Sequence, residues 1–156
     1  MMRIMAAALA AWVAMAPLPA AAQSSELAWL IGKWCASGGD KGGATVTVCI
    51  TFTARPDGTM VLDWVRGGEK GKGGERSQAI IRKKDGEIVL RSEDQDSDYR
   101  MSALGDREMV MESLSSAPDP DEDMKEVRYR VEGDLLIVDL TFMSGRTGTM
   151  AFRRTP

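Results

Sequence analysis

From Lys33 to the C-terminus, apolar and polar side chains alternate with a period of two, the spacing of a strand that buries one face. Val46, Val48, Ile50 and Phe52 stand against Thr45, Thr47, Cys49, Thr51 and Thr53, which predicts a half-buried strand over Ala44 to Thr53. Thr59 to Arg66 sets Met60, Leu62 and Trp64 on one face, and Arg76 to Lys83 carries Ala79, Ile80 and Ile81. Shorter strands are predicted over Glu87 to Arg91, Asp98 to Ala103 and Glu108 to Leu114. Lys125 to Glu132 opposes Val127, Tyr129 and Val131 to Glu126, Arg128 and Arg130, and Leu135 to Met143 and Thr147 to Arg153 close the chain. Only ahead of Lys33 does the period change. There Ser24-Ser25-Glu26 precedes Leu27, Leu30 and Ile31 at helical spacing and Gly32 follows, the signature of a short helix with an N-cap and a glycine stop.

The strand runs are separated by Arg55-Pro56-Asp57-Gly58, Lys84-Asp85-Gly86, Gly105-Asp106, Gly133-Asp134 and Ser144-Gly145. Each offers a residue tolerant of positive φ where a tight hairpin needs one. Strands joined by such short turns run antiparallel to their sequence neighbours, so the expected fold is an all-β, up-and-down meander. Closing it into a barrel removes its two edges, which favours a β-barrel with one short N-terminal helix. A two-sheet sandwich is the competitor, and Ser115 to Met124 is the one stretch that could serve as its long connection.

The N-terminus changes the picture of where this fold acts. Arg3, an uncharged apolar stretch from Ile4 to Met15, and Pro17 to Ala22 match the three parts of a secretory signal peptide, with cleavage after Ala22. The apolar stretch falls short of the ~20 residues that span a bilayer. The mature chain then runs over 23–156 as one domain, with no membrane span, and is expected to be periplasmic or secreted. Its 19 basic and 23 acidic residues, Arg3 being the only charge removed, leave a net charge of −4. Nothing in that balance recommends a nucleic acid or an anionic membrane surface. In an oxidising compartment Cys35 and Cys49 are expected to form a disulfide. The redox and metal alternatives lack a C-x-x-C spacing or a His, since the chain contains none. The lack of His also removes Ser-His-Asp and Cys-His catalysis and His-ligated haem.

Leu27-Ala28-Trp29-Leu30-Ile31-Gly32-Lys33-Trp34 places Gly-x-Trp after a short helix and at the start of the first strand. This resembles the lipocalin-like, or calycin, barrels, and more narrowly a group of small exported bacterial domains of unassigned function with a Leu-x-Trp-Leu-x-Gly-x-Trp element. Arg55 to Met60, Tyr129 to Leu135 and the closing Arg153 or Arg154 resemble the same group, so the likeness covers most of the mature chain. It implies that Trp34 plugs one end of the barrel with Arg154 across its ring. Many members carry a His-Asp-Phe-Pro element where this chain has Asp119-Pro120-Asp121-Glu122-Asp123-Met124, so no activity that rests on that His carries over.

Inward-facing Met60, Leu62, Trp64, Tyr99, Met101, Met109, Met111, Tyr129 and Phe142 are the candidate ligand-binding residues. Methionine suits adaptable apolar pockets, although the same side chains would serve equally to fill a core. The glycine-rich Gly67 to Gly74 does not fit G-x-x-x-x-G-K-[ST] and precedes no helix, so it reads as a hairpin loop. Asp94, Asp96 and Asp98, and Asp119, Asp121 and Asp123, begin like an EF-hand loop, but Tyr99 and Met124 replace the required Gly. No carboxylate pair is placed across a cleft for hydrolysis. No catalytic residue, metal or cofactor is therefore expected. The expectation is a lipocalin-like binder of a small apolar or amphipathic ligand. The alternative is an envelope inhibitor with a filled core that meets a protein partner through Gly67 to Glu75 and Ser115 to Asp123.

Overall fold

The structure, a computed structural model, describes residues 26–39, 45–67, 74–92, 98–114 and 119–156. The signal peptide read at 1–22 and the capping serines Ser24 and Ser25 lie outside these residues. A 3-10 helix over Ala28–Leu30 leads into ten strands. These are β1 (Gly32–Gly39), β2 (Thr45–Ala54), β3 (Met60–Gly67), β4 (Glu75–Lys84) and β5 (Glu87–Ser92), then β6 (Asp98–Leu104), β7 (Glu108–Ser113), β8 (Met124–Glu132), β9 (Leu135–Phe142) and β10 (Thr147–Thr155). Each pairs antiparallel with its sequence neighbour, and β1 meets β10 to close the barrel. The sandwich alternative is thereby set aside. Since β7 and β8 pair directly, the connection between them joins adjacent strands and crosses no sheet.

Turn chemistry explains the short links. Asp85 and Gly86 both take positive φ, 52° and 87°, the pair of values a two-residue type I′ hairpin requires. At the β2–β3 turn the Asp57 carboxylate accepts hydrogen bonds from the Thr59 amide (2.9 Å) and hydroxyl (2.6 Å), and these hold its carboxyl below the usual range.

The N-terminal helix is shorter than the periodicity suggests. It makes one 3-10 turn whose first residue, Ala28, has no side-chain cap, and Leu27 and Leu30 turn inward onto the barrel end. Packing against the barrel holds this turn in place of helical propensity.

One barrel end is closed. Trp34 is fully buried there and its indole N–H donates to the Leu30 carbonyl at 2.9 Å. The Arg154 guanidinium lies 4.2 Å over the Trp34 ring and also donates to the Trp29 carbonyl at 3.4 Å. Gly32 has φ +134°, and a Cβ there would sit 3.4 Å from the Arg154 guanidinium, so the glycine before the tryptophan serves both backbone and packing. Phe52, Met109, Leu136 and Phe152 belong to the same buried cluster as Trp34, each almost completely excluded from water.

Cys35 and Cys49 face each other in the β1–β2 register and are disulfide-bonded, with Cα atoms 4.1 Å apart. They alternate with the inward Trp34 and Ile50, so the bond lies on the outer surface of the hairpin. Closing a loop of separation 14 is worth about 3 kcal/mol in the chain-entropy account. The same outer surface carries ion pairs such as Arg153–Asp134 (2.7 Å) and Arg130–Asp139 (3.7 Å). Among the described residues no helix is long and apolar enough to cross a membrane.

Candidate functional site

Beyond the plug, the barrel is hollow. A cavity of about 360 Å³ occupies the half away from Trp34. Its inner part is walled by Ile50, Leu62, Ala79, Leu90 and Val138, and its rim by Trp64, Met124, Leu140 and Met150. Four residues that carry a hydroxyl line it, Ser77, Ser92, Tyr99 and Tyr129, and among the described residues no charged one does. The volume lies at the small end of the range for ligand pockets, which are typically about 300–1,000 Å³ and mostly apolar with a few placed polar groups.

The nine inward candidates separate by depth. Leu62, Trp64, Tyr99, Met111 and Tyr129 line the cavity. Met60 and Met109 share the inward face but are buried in the packed core outside the cavity. Met101 packs against the core at the register shift between Met101 and Ala103. Phe142 is capped by the Arg146 guanidinium at 4.2 Å and does not reach the cavity. Alternation assigns a side chain to a face, whereas the stagger of neighbouring strands sets its depth.

Ser77, Ser92, Ala79, Leu90, Met124, Val138 and Leu140 line the cavity without having stood out as candidates. Ser77 and Ser92 sit on the inward face of strands whose other inward residues are apolar, and that phase was their signal. Their hydroxyls made them resemble the solvent side.

Tyr129 meets Phe52 edge-on with centroids 5.9 Å apart. Burial pushes its phenol well above the usual range, and the neighbouring Tyr99 adds to the effect. Because the folded value is raised, the neutral phenol is favoured in the fold, while the unfolded chain begins to lose that proton near pH 10. Stability is therefore expected to hold below pH ~10 and to fall above it. Urea midpoints measured from pH 8 upward should show this decline, and Tyr129→Phe should flatten it. A native-state tyrosinate band at 295 nm from both tyrosines near pH 10 would contradict the assignment.

The loops offered to a protein partner are described only in part, since 68–73 and 115–118 lie outside the described residues. The remainder of the β7–β8 connection is fastened to the β9–β10 hairpin. Ser144 N–H donates to the Pro120 carbonyl at 2.8 Å, Met143 N–H to the Asp123 carbonyl at 2.9 Å, and Arg146 to the Asp121 carbonyl at 2.6 Å. The carboxylates of Asp119 and Asp123 accept backbone N–H groups within the turn, at 3.0 Å each. Asp98 pairs with Arg91 at 3.8 Å, and Asp94 and Asp96 lie outside the described residues. Among the described residues no group of three or more His, Cys, Asp or Glu side chains is placed to hold a metal ion.

The fold and the cavity together define a closed antiparallel up-and-down barrel with an apolar interior, a form that fits the lipocalin-like class. Compared with known proteins, the chain matches no protein-family model and no curated protein.

Proposed function

We propose that this chain is an exported, lipocalin-like binding protein that encloses a small apolar or amphipathic ligand. The observation that carries this reading is the cavity of about 360 Å³ beyond the Trp34 plug, whose described lining residues carry no charge. Apolar walls supply non-directional affinity, and the hydroxyls of Ser77, Ser92, Tyr99 and Tyr129 supply orientation. Export is supported by the signal-like N-terminus and by the Cys35–Cys49 bond, which suits an oxidising compartment. The competing reading, an envelope inhibitor acting through its loops, expects a filled barrel, and the cavity favours the binder. Each methylene moved from water contributes about 0.8 kcal/mol, offset by the lost freedom of the ligand, so dissociation constants of about micromolar order are expected.

The test is titration with N-phenyl-1-naphthylamine, an uncharged dye that brightens on leaving water. Saturable, blue-shifted emission at one dye per chain, displaced by decan-1-ol, is the expected result. No uptake by the folded protein would overturn the proposal.

A further inference from the structure

The barrel is sealed along only part of its last seam. β1 and β10 pair at Lys33–Thr155, Trp34–Arg154 and Cys35–Arg153, all beside the plug. Past that point β1 continues to Gly39 paired only with β2, and β10 runs back to Thr147 paired only with β9, among the described residues. The two strands therefore diverge over Ala36–Gly39 and Thr147–Phe152. A second hollow of about 520 Å³ opens there, walled also by Val46 and Val48 of β2 and by Trp64 and Arg66 of β3. On the β1 side its wall is open: a Cβ added to Gly38 or Gly39 would meet nothing within 4 Å.

This hollow adjoins the barrel cavity, and Trp64 and Met150 line both. Met150 is also one of the few large apolar side chains left exposed. Arg66 stands two residues beyond Trp64 on the same inward face of β3 and lines the seam hollow. It is the only charged residue among those described as lining either hollow. Its ion partner, Glu75, is 3.7 Å away, and with Arg66 half exposed and Glu75 mostly exposed the pair is weak.

We propose that the ligand is a single-chain carboxylate amphiphile, its head on Arg66 of β3 in the hollow behind the β1–β10 seam and its chain running past Trp64 and Met150 into the barrel. This rests on the binding reading above and names the ligand class. A charged head buried in the cavity would find hydroxyls but no counter-charge, which is costly. At the seam it keeps its water and meets a guanidinium, whose planar fork matches a carboxylate. A cationic head meets no carboxylate among the described lining residues and faces Arg66 instead.

Calorimetric titration at pH 8 and low salt with decanoate, decan-1-ol and decyltrimethylammonium, all below their micelle concentrations, separates head from chain. Decanoate is expected to bind about tenfold more tightly than decan-1-ol, with the cation weakest. Arg66→Gln should bring decanoate down to the level of decan-1-ol while leaving decan-1-ol unchanged, which also reports that the variant is folded. Arg66→Lys should keep part of the preference. Equal binding of decanoate and decan-1-ol to the wild-type protein, or a decanoate preference that survives Arg66→Gln, overturns the head-group assignment and leaves the binding reading intact. No binding by any of the three overturns both.

Discussion

Trp34→Ala should cost about 3–5 kcal/mol of folding stability, enough to leave a domain of typical stability marginal. Trp34 is completely buried, and its removal opens a cavity between the N-terminal 3-10 turn and the strands. Three further losses follow from its contacts. The Leu30 carbonyl loses its indole donor, the Arg154 guanidinium loses the ring it covers at 4.2 Å, and Leu27 and Leu30 lose the surface they pack on. Trp34→Phe keeps most of the volume but leaves the Leu30 carbonyl unpaired, so a smaller loss of about 1–3 kcal/mol is expected. Urea unfolding followed by far-UV circular dichroism is the suitable measurement, because the substitution removes a tryptophan from the fluorescence signal. A Trp34→Ala protein within 1 kcal/mol of wild type would show that the plug does not carry this end of the barrel.

Ala79→Phe is expected to abolish ligand uptake, with at least a tenfold loss of dye affinity, while leaving stability unchanged or raised. Ala79 sits in the middle of β4, paired with Leu62 and Ser92, and its methyl group faces the cavity. A cavity of about 150 Å³ is enough to hold benzene, so a phenyl ring would occupy much of the 360 Å³ available here. Filling an apolar void commonly adds about 0.5–2 kcal/mol, whereas enlarging a packed site costs about 1–3 kcal/mol. Val131→Phe is the control, because Val131 faces inward but lies in the packed core away from the cavity lining. It should destabilise and leave dye binding intact. If Ala79→Phe destabilises as much as Val131→Phe, the barrel interior is packed shut and the loop-acting alternative regains its footing.

These two substitutions mark what could and could not be read from the chain. The disulfide followed from a cysteine pair in a chain whose N-terminus reads like an export signal, and the facing register of Cys35 and Cys49 is the geometry that bond needs. The pairing of Arg154 with Trp34 followed from a resemblance, and the guanidinium lies over the ring. Ser77 and Ser92 were harder, because a hydroxyl on a strand suits either face until its neighbours are placed. Met60 and Met109 show the opposite case. Their faces were legible, but not their distance along the barrel axis.

The amino-acid sequence alone determined the strand segments, the faces they present, the antiparallel meander and the absence of His chemistry. These are properties of neighbouring residues: a period of two, a turn residue that tolerates positive φ, and a side-chain inventory. Tertiary structure decided the rest. Closure through β1 and β10, the seam that seals only beside Trp34, the placement of Arg66 next to it and the hollow behind Tyr129 depend on strand stagger and on how inward volumes sum across ten strands. Those quantities belong to the assembled barrel, since each strand contributes only one layer of side chains to an interior that the other nine complete.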